Sequence, residues 1–238
     1  MALPSNVEAL DIGCGDGKST LAVAARLGIE GPVVGVDRQE TRLPEGEAPI
    51  NVSFVPFDAM DLPNSKLAQV STLYNVLPGL PNAGAVMAML RKAAIVSRDF
   101  VFVSQVQFDA TPHLIRRGFK TYYSDLASNR YQGGSFDYLR MLRSLFDEGL
   151  IADYALLECE RIRDSSDATI HSLASPPDSG PYDAGMHRHK TVDVPFSEPI
   201  FKRMQLILCR KPAQLGKIAR RLKALEKPDN VIYSTMPI

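Results

Sequence analysis

The residues of this sequence best suited to chemistry stand where apolar runs stop. Val7-Glu8-Ala9-Leu10 ends in Asp11, and Ile12-Gly13-Cys14-Gly15-Asp16-Gly17-Lys18 follows. Glycine at every second position lets the backbone turn sharply and lets a ligand approach with no Cβ in the way. Further on, Pro32-Val33-Val34-Gly35-Val36 ends in Asp37. An acid at the end of a second strand, about twenty residues beyond the loop, can accept from the ribose hydroxyls of a nucleoside.

Two common nucleotide loops do not fit. A phosphate-binding P-loop has four residues between its first glycine and Gly-Lys-Ser. Here only Cys14, Gly15 and Asp16 separate Gly13 from Gly17-Lys18-Ser19. The dinucleotide fingerprint reads G-x-G-x-x-G, whereas this loop reads G-x-G-x-G, and no Tyr-x-x-x-Lys pair occurs in the chain. Nucleotide hydrolysis and hydride transfer both lose support.

An acid directly ahead of alternating glycines is a different pattern. Asp11-Ile12-Gly13-Cys14-Gly15-Asp16-Gly17 resembles the first motif of class I S-adenosylmethionine-dependent methyltransferases, and the resemblance continues in order through Asp37, Asp58-Ala59 and Asn75-Val76-Leu77-Pro78. It extends over residues 7 to 108, and beyond them only as a pattern of strands. The resemblance implies S-adenosylmethionine as cofactor. It places the backbone of Gly13, Cys14, Gly15 and Gly17 under the methionine and ribose, and gives Asp11 the task of fixing the loop and reaching the cofactor's amino group. It makes Asp37, with Arg38 beside it, the ribose acceptor, a task suited to the two oxygens of a carboxylate. Asp58 and the Ala59 amide would meet the adenine, and Asn75 the methionine next to the transferred methyl. A cap or turn role is the alternative for Asp58 and Asn75.

A sulfonium is already an activated methyl donor, so the protein mainly aligns an acceptor and, where needed, removes a proton. Asn75-Val76-Leu77-Pro78 lacks the Asn/Asp-Pro-Pro-aromatic form of amino-directed nucleic-acid and glutamine methyltransferases, which favours a hydroxyl on a small polar molecule, such as a sugar, as acceptor. The general base is sought among the four histidines, His113, His171, His187 and His189, with His113 and His187 as the candidates and a solvated loop position as the alternative for each. No ligand set for a metal is evident around His187-Arg188-His189. The alternatives are an RNA or protein methyltransferase using the basic helix that carries Lys217, Arg220, Arg221, Lys223 and Lys227, or a non-catalytic partner subunit.

These residues need a scaffold that brings strand ends together. Apolar runs at Glu8–Ile12, Val33–Asp37, Asn51–Phe57, Val70–Leu77 and Phe100–Val106 read as strands, alternating with helices at Ser19–Leu27 and from an Asn82 cap to about Val96. The face of the first helix is expected to use Leu21, Ala22, Ala25 and Leu27, with Gly28 as C-cap. Phe136 to Glu148 reads as a helix presenting Phe136, Leu139, Leu142 and Phe146. Ile151–Arg161 and Lys202–Cys209 read as strands, and 214–227 as a C-terminal helix with Leu215, Ile218, Leu222 and Leu225 on one face. The rhythm is that of an α/β, doubly wound, mostly parallel sheet; the resemblance makes it seven-stranded with an antiparallel last strand. Insertions of about 109–135 and 164–200 interrupt it after strands five and six, the second long and loop-like, within a single domain spanning 1–238. Both leave the carboxyl edge of the sheet and so are expected to shape the acceptor pocket.

Composition narrows the partners. Lys+Arg and Asp+Glu both number 27, so no global field recruits nucleic acid or membrane. Three scattered cysteines, Cys14, Cys159 and Cys209, favour a reducing compartment over a disulfide framework. With neither a secretory pattern nor a membrane-length apolar run, the cytoplasm is the expected location. Only six residues precede Val7, so a lid over the cofactor is expected from the insertions, another chain or an upstream region.

Overall fold

The computed structural model describes residues 4, 7–40, 49–80, 82–108, 119–125, 130–133, 136–162, 168–172, 192–193, 201–223 and 230–236. In chain order its elements are β1 (Val7–Ile12), α1 (Lys18–Leu27), β2 (Val33–Asp37), β3 (Val52–Pro56), β4 (Ala68–Tyr74), α2 (Ala83–Val96), β5 (Ser97–Phe108), β6 (Phe119–Asp125), β7 (Arg130–Gly133), α3 (Tyr138–Asp147), β8 (Asp153–Ile162), β9 (Ala168–Ser172), β10 (Val192–Asp193), β11 (Phe201–Cys209), α4 (Leu215–Lys223) and β12 (Asn230–Ser234). Single 3-10 turns form at Ala59–Asp61 and Leu77–Gly79.

The main sheet runs β12-β8-β11-β5-β4-β1-β2-β3. The five strands from β5 across to β3 are parallel, while β11 lies antiparallel between β5 and β8. This is the expected doubly wound α/β sheet with its antiparallel strand near one edge. Its strand count is eight rather than seven, because β12 adds an antiparallel edge strand on β8. That strand is short, and Val231 and Ile232 are 42% and 40% exposed, so alternation does not mark it.

Every residue of Val33-Val34-Gly35-Val36 is buried, as befits a central strand covered on both faces. On one face Ala24 and Leu27 of α1 and Leu215 and Ile218 of α4 pack over Val33, Val70, Phe100 and Ile207. On the other, Leu90 of α2 and Leu142 and Leu145 of α3 cover Leu10, Val34, Leu73 and Leu206. Two helix faces differ from expectation. In α1 the buried apolar side chains are Ala24 and Leu27, while Ala22 and Ala25 face solvent. In α3 they are Tyr138, Met141, Leu142 and Leu145, and Phe146 is 42% exposed. Both helices are short, and their apolar residues define more than one stripe, so the sheet decides which is buried. Of the C-terminal helix, residues 224–227 lie outside the described residues.

The two insertions also differ from expectation. Strands β6 and β7 of the first pair with β9 and β10 of the second in a separate antiparallel sheet of order β10-β9-β6-β7. The joining ladder, Phe119↔Ser172 to Tyr123↔Ala168, links residues about fifty apart in sequence, and no local periodicity reports such a pairing. β7 lies against the turn Leu77–Gly79 that follows β4, so this second sheet touches the carboxyl edge of the first.

Helix α2 begins at an exposed cap, where the Asn82 carboxamide oxygen accepts from the Ala85 amide at 3.0 Å. Replacing it by alanine leaves that amide to water, and Asn82→Ala is expected to cost about 1 kcal/mol. The check is a urea unfolding curve with a lowered midpoint and an unchanged slope.

Candidate functional site

The site is built on Asp11, the last residue but one of β1. Its side chain is buried, 2% exposed, and it accepts three hydroxyl hydrogen bonds. Thr72 of β4 donates to Oδ1 at 2.7 Å. Thr20 and Ser19 of α1 donate to Oδ2 at 2.6 and 3.1 Å. One carboxylate therefore ties β1 to its neighbouring strand and to the first turn of α1. Burial pushes its pKa up, and the three hydroxyls pull the other way.

Above it the glycine loop folds back on β2. Gly13 has φ of 75°, and a Cβ there would lie 2.5 Å from Cγ2 of Val76; both facts require glycine. The Gly13 and Cys14 amides donate to the Val36 carbonyl at 2.7 and 3.1 Å. The Gly15 amide donates to Oδ2 of Asp37 at 3.0 Å. The Gly17 amide donates to the Cys14 carbonyl at 2.9 Å. All four glycine-loop amides named here are spent inside the fold, so the loop does not offer the outward N–H cradle that holds a phosphate.

Asp37 stands at the end of β2, half-buried, its other oxygen accepting from the Gln39 amide at 3.0 Å. A carboxylate has about four acceptor positions, so both oxygens retain capacity toward a diol while they fix the loop. Arg38 is exposed beside it. Asp58 caps the turn Ala59–Asp61, accepting from the Met60 amide at 2.9 Å, with Ala59 buried behind it. Asn75 follows β4 with φ of 54°, one of two non-glycine residues in that region among the described residues. Its amide donates to the Ser104 carbonyl at 2.9 Å. The sequence candidates Asp11, Gly13, Cys14, Gly15, Gly17, Asp37, Asp58, Ala59 and Asn75 thus share the carboxyl edge of β1–β4. His113 and His187 lie outside the described residues.

A cavity of about 610 Å³ opens beside the loop. It is lined by Gly13, Cys14, Gly15, Asp16 and Asn75, by residues of α1 including Lys18, and by residues of β4, β5 and β11. Asp16 and Lys18 form an ion pair of 3.0 Å at the mouth, and the Lys18 hydrogen bond lowers the Asp16 pKa. Sequence reasoning missed two groups. The three hydroxyl partners of Asp11 are ordinary Ser and Thr positions until β1, β4 and α1 are assembled. Tyr74, Ser104 and Gln205, which line the cavity, signal themselves only as polar residues beside apolar runs in their strands.

The residues present fit an adenosine-bearing sulfonium better than a phosphate ester. Spent amides, an acid at the ribose position and an open surface over Gly15, where an added Cβ would meet nothing within 4 Å, favour a nucleoside laid across the loop. Among the described residues, no group of three or more His, Cys, Asp or Glu is placed to hold a metal, and no helix is long and apolar enough to cross a membrane.

Residues 9–99 match the family model of a methyltransferase domain. Solved structures that resemble the fold include a magnesium protoporphyrin IX methyltransferase from Synechocystis PCC 6803 with bound SAM, 12% identical, covering 86% of this chain and 70% of that one with a TM-score of 0.45. Another is a SAM-dependent methyltransferase from Methanosarcina mazei, 15% identical, covering 87% and 93% at 0.48. A third is a 1,6-didemethyltoxoflavin N1-methyltransferase from Burkholderia thailandensis with bound S-adenosylhomocysteine, 15% identical, covering 87% and 72% at 0.46. No curated protein matches the sequence.

Removing one donor to Asp11 exposes its role. Thr72→Val is expected to destabilise the fold by about 1–2 kcal/mol at pH 7, because a buried carboxylate loses a hydrogen bond and its raised pKa rises further. The deficit shrinks as pH falls through that pKa and the group becomes neutral. Urea titrations at several pH values check it; a pH-independent deficit contradicts the role.

Proposed function

We propose that the chain is a class I S-adenosylmethionine-dependent methyltransferase, a reading supported by the match of residues 9–99 to the model of a methyltransferase domain, and that it methylates a hydroxyl group of a small polar molecule within one domain spanning the whole chain. S-adenosylmethionine is the cofactor of such a domain, and it supplies an activated methyl on sulfur. The observation that supports the reading is the glycine loop itself, whose amides are spent on the Val36 and Cys14 carbonyls and on the half-buried Asp37 carboxylate and so leave no cradle for a phosphate.

In this reading each residue has a limited task. Asp11 holds the loop, β4 and α1 in register from below. Asp37 accepts the ribose hydroxyls and anchors Gly15. Asp58 and Ala59 border the adenine, and Asn75, held by the Ser104 carbonyl, borders the methionine end. S-adenosylmethionine, when bound, would supply the methyl to the acceptor oxygen and retain the C–S electron pair as a thioether, and the acceptor hydroxyl's proton would pass to a base of this chain. His113 and His187 are the proposed proton acceptors. The size of the cavity suits a small acceptor, and the balanced charge of the chain gives no support to a nucleic-acid substrate.

Two outcomes are expected. S-adenosylhomocysteine binds in a calorimetric titration and Asp37→Ala abolishes the binding, whereas undiminished binding by this variant would remove Asp37 from the ribose site. With an acceptor identified by a labelled-methyl screen, loss of the base lowers kcat by about a hundredfold and removes the acidic limb of the pH profile. If His113→Ala and His187→Ala both keep wild-type profiles, neither histidine is the base.

A further inference from the structure

The cavity beside the loop has two different surfaces, and the sheet supplies the polar one. Tyr74 of β4 pairs in register with Ser104 of β5, and Ser104 pairs with Gln205 of β11. The three side chains thus form one row across three adjacent strands on the α1 face of the sheet, and all three line the cavity. Below them the same strands turn apolar: Phe102 pairs with Thr72 on one side and Ile207 on the other. Ala22, Val23 and Leu27 of α1 also line the cavity.

The polar row has an unmet need. Ser104 is 1% exposed, and its hydroxyl has no hydrogen-bond partner. A buried orphan hydroxyl costs about 1–3 kcal/mol, so in a folded protein it calls for an explanation. Gln205 beside it is 3% exposed. Tyr74 is set differently: its hydroxyl accepts from a guanidinium nitrogen of Arg203, which also lies 5.5 Å from the centre of its ring. With its oxygen engaged by Arg203, the tyrosine proton remains to be donated.

We propose that the row Tyr74–Ser104–Gln205 seats the reacting oxygen of the methyl acceptor, and that the acceptor is apolar behind that oxygen, an alcohol or phenol rather than a sugar. This rests on the methyl-transfer reading, keeps its hydroxyl acceptor and replaces the polar skeleton behind that hydroxyl by an apolar one. A hydroxyl on the row meets both a donor and an acceptor next to Asn75 and the glycine loop. Its carbon skeleton extends toward Phe102, Val23 and Leu27, where a sugar's further hydroxyls would be desolvated without partners.

The test uses the full chain saturated with S-adenosylhomocysteine and p-cresol, toluene and xylose as probes, followed by ligand-observed NMR titration. p-Cresol is expected to bind at least about tenfold more tightly than toluene or xylose, a difference set by the seated hydroxyl and the apolar wall. Ser104→Ala is expected to fold with unchanged or higher thermal stability, since it removes an orphan hydroxyl, and to erase the preference over toluene. Gln205→Leu weakens the same preference, and Phe102→Ala weakens p-cresol and toluene alike. Equal or better binding of xylose, or a preference that survives Ser104→Ala, overturns the proposal. So does a Ser104→Ala variant that loses affinity for S-adenosylhomocysteine but not for 5′-methylthioadenosine, because the row would then hold the cofactor's amino-acid tail. Wild-type protein that fails to bind S-adenosylhomocysteine would instead refute the methyl-transfer reading, and the same three probes on the ligand-free chain still decide the row.

Discussion

A single buried carboxylate sets the geometry of the site. Burying a charge costs several kcal/mol unless it is paired or hydrogen-bonded. Asp11 meets that condition only when β4 brings Thr72 to one oxygen and the start of α1 brings Ser19 and Thr20 to the other. Hydrogen bonds to a charged group contribute about 1.5–3 kcal/mol each; together they reduce the cost of burial, which still holds the carboxyl's pKa above its ordinary value. The same three bonds fix where the glycine loop leaves the sheet, how α1 enters, and how far β4 projects before Asn75 turns away. Misplacing any one of these elements strands the charge, so the position of the loop is coupled to the stability of the fold.

The loop that results differs in kind from a phosphate loop. Its amides turn inward, to the Val36 carbonyl and the Asp37 carboxylate, and glycine is needed at position 13 because Val76 leaves no room for a side chain. Gly35 plays the matching part in β2. A Cβ there would fall 2.7 Å from the Phe54 ring and 3.0 Å from the Cys14 Cβ, so β2 can pass beneath the loop only without one. Asp37 pins Gly15 through one oxygen and Gln39 through the other. A ligand held on that carboxylate, as proposed, would for this reason be linked to the order of the loop.

Much of this was legible in the order of residues. The acids Asp11 and Asp37 at the ends of apolar runs, the spacing of Gly13, Gly15 and Gly17, and the Asn82 cap mark β1, β2 and α2 closely. The buried face of α2, with Val86, Leu90, Ala93 and Ala94, also follows from its periodicity. What could not be read depends on contacts between distant segments. Thr72 becomes a partner of Asp11 only through pairing of β1 with β4, a separation of 61 residues. The second sheet joins two insertions through β6 and β9, and β12 has too few buried positions to reveal alternation. Ser104 and Gln205 gain meaning only when three strands align, since a serine or glutamine at the end of an apolar run is by itself unremarkable.

The account places a nucleoside across the glycine loop with its ribose on Asp37. A crystal structure of the chain with S-adenosylhomocysteine tests this most directly. Both ribose hydroxyls are expected within hydrogen-bonding distance of the Asp37 carboxylate, adenine beside Asp58 and Ala59, and sulfur next to Asn75, with the bonds from Thr72, Thr20 and Ser19 to Asp11 intact. A nucleoside bound elsewhere, or one that reaches its place only by breaking the Gly15–Asp37 bond, would contradict it.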